Sequence, residues 1–573
     1  MMKTIKVQPI TMLLAAGIVI SGCDGLGKMV KNANQVKYEV TPNPLELHGD
    51  SVAVNINVKY PAKFFAKKAA VEATPVLKGS GDEKAFKSVK FKGEKSTAEG
   101  TVIAYANGGS YAYSDKIAYS PDLKVSDLKI KAVASVKSKS KEFAEVKVGE
   151  GVITTPLLVA NDDKPSLGAD KFTKTVPRNY SADIHFLIQS AEVRGSELSQ
   201  SDIKGLKEYF KTGKEKGYIY NGVSIHAYAS PDGEEALNTG LSENRAKNAA
   251  RVIADQFKAA KIEAVKNADF IKTANTPEDW EGFKSLMQQS DIKDKDLIIR
   301  VLEMYSDPVQ REKEIKNLAA TYKEVADKIL PQLRRAMITI NAEEPSRTDE
   351  QISALVVSSP DSLSIEEILY AATLTTDLDK KLSIYRSAQR VYPQDWRGFN
   401  NAGYVLILQN KLSEAKAELD KANSISANNP IVLNNMGVVA HLQGDRKKAE
   451  EYFTNSSDAN AKYNLGIIQI QKGNYTAAVS SLNAEKSYNL ALAQLLNGNA
   501  DAALSTLEAS KDKDSARGYY LKAIIGARKG DVNLMINNLK NCVAKDASYK
   551  AKAKEDMEFA KYKSNAEFAG VIN

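Results

Sequence analysis

The sequence predicts a multidomain chain: an antiparallel β-sandwich, then an α/β domain carrying a helical insertion, then an all-α repeat array. Three observations predict this. Apolar residues alternate with a period of two from Lys37 to about Ile153. Between residues 170 and 342, strand and helix patterns succeed one another. Beyond residue 400, one pattern of small, turn and alanine residues returns in a common register. A length of 573 residues fits such a division, at roughly 150 residues per domain.

The first 22 residues read as a signal peptide. Lys3 and Lys6 precede an apolar run from Ile10 to Ile20, shorter than a comfortable membrane span. The run ends in Val19-Ile20-Ser21-Gly22-Cys23, small residues before a cysteine in a chain with two. This resembles a bacterial lipobox. The resemblance implies that Cys23 is acylated and heads the mature chain, anchored in lipid by acyl chains worth about 0.8 kcal/mol per buried CH2. A plain secretory peptide with an incidental cysteine is the alternative. Surface-exported lipoproteins of the Bacteroidota carry an acidic cluster after the cysteine, whereas Asp24-Gly25-Leu26-Gly27-Lys28 has one acid. The expected location is therefore the periplasmic side of the outer membrane. Residues 23–35, rich in Gly, Lys and Asn, read as a flexible lipidated tether.

Residues 36–165 form the expected sandwich. Val52, Val54, Ile56 and Val58 alternate with polar or small residues, as do Leu128, Ile130, Ala132, Ala134 and Val136. Gly79-Ser80-Gly81-Asp82, Asn107-Gly108-Gly109 and Pro121-Asp122 mark turns between short strands, the pattern of an immunoglobulin-type sandwich. Ala66–Ala73 is the one stretch with some helical character. Lys137, Lys139 and Lys141, at spacing i, i+2, read as one solvated strand face.

The domain expected over residues 166–345 holds the most specific motif. A strand from Tyr218 to Tyr228 leads into Ala229-Ser230-Pro231-Asp232-Gly233, then Asn238, Leu241, Ser242, Arg245 and Ala246. Here the chain resembles the OmpA-like, peptidoglycan-associating domain, whose signature is T-D-x-x-G-x-x-x-x-N-x-x-L-S-x-x-R-A. Leu333-Arg334-Arg335-Ala336-Met337-Ile338 resembles that family's closing strand. The resemblance implies that Arg245 grips a stem-peptide carboxylate through a bidentate fork. The family's aspartate position holds Ser230, which supplies no charge; Asp232 is the nearest substitute. Two readings stand: peptidoglycan binding through Ser230, Asp232, Asn238 and Arg245, or an OmpA-like scaffold that has lost it. A helix is expected from Ser201 to Lys211, ended by Gly213. An insertion at about 260–332 has helical periodicity around Trp280 and from Leu297 to Leu302, with Pro308 opening a further helix.

Residues 346–573 are repetitive. Gly403, Gly437, Gly466, Ala491 and Ala523 are each followed seven positions on by Asn410, Gly444, Gly473, Gly498 or Gly530. Alanine follows five residues later in the first four: Ala415, Ala449, Ala478 and Ala503. These segments resemble tetratricopeptide repeats, antiparallel helix pairs of about 34 residues. The middle intervals are shorter, so the second helix or its linker is cut short there. A weaker unit from Ile368 to Tyr392 precedes them. Asn401, Asn435, Asn464 and Asn489 hold one position in four successive repeats. In this fold that position faces the concave groove, where amides can bond the backbone of an extended peptide. Asparagine is also simply common there. Lys462 and Lys522 would suit an acidic or C-terminal partner segment.

Other classes are excluded. Net charge is +8 on 79 basic and 71 acidic residues, a weak excess that does not suit a nucleic-acid binder. Four scattered histidines form no metal pair, and no nucleotide, serine-hydrolase or zinc-hydrolase motif occurs. No enzyme, metal or cofactor is expected. The sequence as a whole suggests a Bacteroidota outer-membrane lipoprotein. It would bridge membrane to peptidoglycan non-covalently and recruit a protein partner through the repeat groove. The alternative is a structural subunit of an envelope secretion or outer-membrane-protein assembly complex.

Overall fold

A computed structural model describes residues 24–573, apart from 82 and 318. Cys23 and the signal segment lie outside the described residues. The chain divides into two compact units: residues up to Gly168 together with Tyr392–Asn573, and Ala169–Val391. The sandwich and the repeats thus share one unit, and the intervening unit takes in the helices from Asp349 to Val391.

In the first unit, strand Ser51–Tyr60 pairs with Lys37–Thr41, Leu47–His48 and Gly109–Ala118 in a four-stranded sheet. Val52, Val54, Ile56, Val58 and Tyr60 point inward, and every alternate residue is exposed. The facing seven-stranded sheet centres on Ala70–Lys78 and Ser126–Val136, paired antiparallel. Val71, Leu128, Ile130 and Ala134 meet the first sheet's residues in one core. Two expectations fail here. Residues from Ala70 continue as strand, because Val71, Ala73 and Leu77 fill that core. The sheet is also not wholly antiparallel, since Val89–Gly93 runs parallel to Thr101–Ile103. Lys139 and Lys141 lie on an exposed strand, as expected, while Lys137 occupies the turn before it at φ 52°.

The expected flexible tether is instead folded. Asp24–Lys31 is a helix that buries Leu26 and Met29 in the sandwich core, and the Met29 sulfur accepts from the Ala66 amide at 3.4 Å. Spacing i, i+3 puts both apolar residues on one face, which outweighs the two glycines.

The repeats are five helix hairpins. Their first helices are Trp396–Leu408, Pro430–Leu442, Ala459–Gln471, Tyr488–Leu496 and Ala516–Lys529. Asp395, Asn429, Asp458, Ser487 and Ser515 cap these helices, each accepting a backbone N–H in the first turn. The partner helices of the middle hairpins, Arg446–Asn455, Tyr475–Leu482 and Ala500–Glu508, span 10, 8 and 9 residues. Those at the ends, Leu412–Ile425 and Val532–Lys545, span 14, which is where the shortened repeat intervals come from. A Cβ on Gly437 would meet the Phe453 ring at 2.5 Å, so only glycine lets that pair close. Gly444, Gly473, Gly498 and Gly530 turn the last four hairpins at φ between 71° and 86°, and Asn410 turns the first at φ 57°. Cys542 is buried in this core, and burial pushes its thiol up to about 12.

The second unit is built on a five-stranded sheet in which Arg335–Pro345 lies between Tyr180–His185 and Ile219–Tyr228, antiparallel to both. Ile271–Thr276 adds in parallel to Ile219–Tyr228. Helices Ser201–Lys216 and Glu235–Ala259 cover the sheet through Leu206, Phe210, Ala249, Ile253 and Phe257. The first helix runs past Gly213, which sits against the Tyr220 hydroxyl, and ends at Gly217 with φ 71°. The expected insertion is narrower at its start, because Ile271–Thr276 belongs to the sheet. Helices Trp280–Gln289, Lys295–Met304 and Pro308–Asn317 follow, with Ala319–Lys328, around a core of Phe283, Met287, Ile298, Leu302, Ile315 and Val325. Trp280 packs against that core. Helices Asp349–Ser358, Ile365–Ala371 and Leu378–Val391 complete the unit.

Candidate functional site

Two clusters coincide with residues the sequence singles out, one in each unit. In the first unit, the four repeat asparagines line one groove, and an extended segment of this same chain lies in it.

Each asparagine clamps one residue of that segment through both its amide atoms. The Ala160 N–H donates to Asn489 Oδ1 at 2.9 Å, and Asn489 Nδ2 donates back to the Ala160 carbonyl at 2.9 Å. Asn464 holds Lys164 likewise, at 2.8 and 3.1 Å. Asn435 holds Ser166 at 2.7 Å in both directions. Asn401 holds Gly168 at 2.7 and 2.9 Å. The geometry follows from the repeat: one helix position recurs along the groove, and an amide carries one acceptor and one donor group to match a peptide unit.

Two further asparagines, not anticipated from the sequence, complete the array. Asn434 Nδ2 donates to the Lys164 carbonyl at 2.9 Å, and Asn400 Nδ2 to the Ser166 carbonyl at 3.2 Å. Their own oxygens accept from Asn464 and Asn435, both at 2.9 Å. The signal for them was the doubled Asn-Asn at 400–401 and 434–435. All six asparagines are buried, so their amides need these partners.

Side chains of the segment are read as well. Asp163 pairs with His441 Nδ1 at 2.8 Å, both nearly fully buried. Asp162 accepts from Tyr463 Oη at 2.8 Å and from Asn489 at 3.0 Å. Lys164 lies over the Tyr463 ring, 3.9 Å from its centroid, and pairs with Glu485. Ser166 Oγ donates to Asp458 at 2.8 Å. The groove's expected positive character does not come from the lysines. Lys522 is tied to Glu508 at 2.7 Å and Lys462 is exposed, so the segment's carboxylates meet His441 and Tyr463 instead.

In the second unit, Arg245 is 1% exposed, and its guanidinium is spent inside the domain. Nε donates to the Ser190 carbonyl at 3.0 Å, Nη1 to Tyr228 at 2.8 Å and Nη2 to Leu187 at 3.0 Å. Burial, with a smaller contribution from nearby Arg334, pulls its pKa down to about 10. The fork that the family resemblance aims at a stem-peptide carboxylate here ties the loop after Tyr180–His185 to the end of strand Ile219–Tyr228. Asn238 Nδ2 donates to the Ser230 and Gly233 carbonyls, both at 3.2 Å, and so shapes the loop. Asp232 pairs with Arg334 at 3.0 Å and accepts from the Ser230 hydroxyl; Arg334 Nε donates to that hydroxyl at 3.0 Å. Ser230, Asp232 and Arg334 form a closed set, in which the serine bridges the charge pair. Pro231 lines a small cavity together with Trp280, Phe283 and Ile315. Among the described residues, no group of three or more His, Cys, Asp and Glu is placed to hold a metal.

No family model matches the chain. No curated protein matches it either. Solved structures similar to it include tetratricopeptide-repeat proteins and pilus factors. YrrB, described as a repeat protein with an unusual peptide-binding site, is 17% identical over 36% of this chain and 100% of its own, with a TM-score of 0.22. A repeat protein from Parabacteroides merdae is 14% identical over 43% of this chain and 99% of its own, at 0.28. PilW, a type IV pilus biogenesis factor, is 14% identical over 40% of this chain and 100% of its own, at 0.27.

Proposed function

We propose that the chain is a lipid-anchored scaffold of a bacterial outer membrane, and that its repeat groove is used in cis as the receptacle for its own segment 160–168. The bidentate asparagine clamps carry this reading, because every amide that would take a partner's backbone is already bonded to Ala160, Lys164, Ser166 or Gly168. A tethered segment competes at a high effective concentration, on the order of millimolar for short linkers, so a free peptide starts at a disadvantage. The scaffold reading asks the repeats to hold the molecule's own architecture and leaves recruitment to other faces.

Anchoring rests on the lipobox resemblance at Cys23. Metabolic labelling with a palmitate analogue should mark the native chain and leave Cys23→Ser dark. Equal absence of label from both would remove the membrane from the account.

Bridging to the cell wall is the second reading, favoured by the register of Gly233, Asn238, Leu241, Ser242 and Arg245 with the peptidoglycan-associating signature. It requires Arg245 to exchange backbone carbonyls for a ligand carboxylate. The scaffold reading expects the full chain to stay in the supernatant when purified sacculi are sedimented. Retention of the wild type in the pellet would favour bridging.

A further inference from the structure

The repeat groove of the first unit holds the chain's own segment, and the second unit carries a separate depression. A cavity of about 610 Å³ opens between helices Asp349–Ser358 and Leu378–Val391. That volume lies within the ordinary range of ligand sites, roughly 300–1,000 Å³. Its wall is a stripe down one face of the second helix, Lys380, Ser383, Ile384, Ser387 and Arg390, at spacings of three and four. The opposite face, with Leu382, Tyr385 and Ala388, is the one that packs inside. The stripe is therefore the helix's solvent side, yet it carries Ile384 at its centre.

The apolar character extends across the depression. Val356 and Val357 stand on the facing helix, and Ala371 and Leu374 close one end. Val357 is 83% exposed and Leu374 37%. Exposed apolar side chains converging on one concavity mark an interaction site more than scattered ones do. The polar side chains that line it are hydroxyls and two cations, with no carboxylate. Neither Lys380 nor Arg390 makes a side-chain ion pair among the described residues. The cations stand ten positions apart on the helix, about 15 Å at 1.5 Å per residue, with Ile384 between them.

We propose that this depression docks a segment of a partner protein that places carboxylates about 15 Å apart on either side of an apolar centre. Charge complementarity selects the occupant: carboxylates would meet Lys380 and Arg390 at the ends, and leucine-like side chains would cover Ile384, Val356 and Val357. The proposal goes beyond the cis-occupied groove and does not depend on it, since no residue of the segment 160–168 lines this cavity.

The test uses the full-length chain and a fluorescein-labelled peptide of about 12 residues that repeats Glu-Glu-Leu-Leu, followed by anisotropy. Binding by the wild type should weaken at least tenfold in Lys380→Glu/Arg390→Glu. The same double variant should gain at least tenfold for a peptide with lysine in place of glutamate. Both residues are exposed, so the fold should persist, and circular dichroism checks it. Equal binding of the acidic peptide by wild type and double variant would overturn the proposal, as would no binding by the wild type. Equal binding of a peptide with serine in place of leucine would overturn it too, by reducing the site to charge alone. A wild-type dimer that Val357→Asp dissolves would also overturn it, because a second copy would then be the occupant.

Discussion

Asn435→Ala combined with Asn464→Ala should free the segment 160–168 from the groove. The two changes strip the N–H groups of Ser166 and Lys164 of their acceptors, and the oxygens of Asn400 and Asn434 of their donors. Each orphaned buried group costs about 1–3 kcal/mol. The segment limits the damage by leaving and taking water, so we expect a loss of about 3–5 kcal/mol from the clamped state. At 1.4 kcal/mol per tenfold, the open population rises at least about a hundredfold. A protease that cuts before aspartate reports it directly. Cleavage at Asn161-Asp162 should be slow in the wild type and faster by about that factor in the double variant. Unchanged cleavage would mean that the asparagines hold nothing of consequence.

Arg245→Ala should destabilise the α/β unit by about 3–5 kcal/mol. It removes charge-assisted hydrogen bonds from the carbonyls of Leu187, Ser190 and Tyr228 together and leaves a cavity against Phe186. Arg245→Lys should recover little, since one ammonium cannot reproduce a planar fork across three acceptors. The denaturant midpoint of this unit's transition measures the effect. An arginine facing an open binding site would behave otherwise, with its removal costing within about 0.5 kcal/mol of stability. The result also governs how wall binding is tested: a stability loss of this size would abolish retention on sacculi for reasons unrelated to recognition. That is why the wild-type chain is the informative sample there.

What could be read from the sequence, and what could not, divides along a physical line. The hairpins were legible because close helix packing leaves a fixed trace: a small residue at the crossing, glycine where φ turns positive, alanine in the partner helix. Gly437 against Phe453 and Gly444 at φ 86° are that trace in three dimensions. The four groove asparagines were legible for the same reason, as one position of a repeat. Their ligand was not. The run Asn161-Asp-Asp-Lys-Pro-Ser166 has no periodicity, and its partners lie 234 to 327 residues further along the chain. Recognition through backbone atoms leaves no mark on side-chain identity at all.

Arg245 was found by its spacing, but its acceptors are carbonyls, which every residue supplies. The motif therefore fixed the position of the arginine without fixing its task. Arg334 is the converse case. The closing-strand resemblance contained it, but nothing in the local sequence linked it to Asp232, 102 residues away. Composition misled at Asp24–Lys31, where glycines and lysines suggested a tether and the pair Leu26 and Met29 was enough to seat a helix.

Amide hydrogen exchange across residues 158–168 of the full-length chain tests the cis-occupied groove most directly. The clamps protect the amides of Ala160, Lys164, Ser166 and Gly168, whereas Leu167, exposed and making no such bond, should exchange much faster. The account predicts that alternation, and its loss in Asn435→Ala/Asn464→Ala. Uniform exchange at the rate of an unstructured chain throughout the wild-type segment would contradict it.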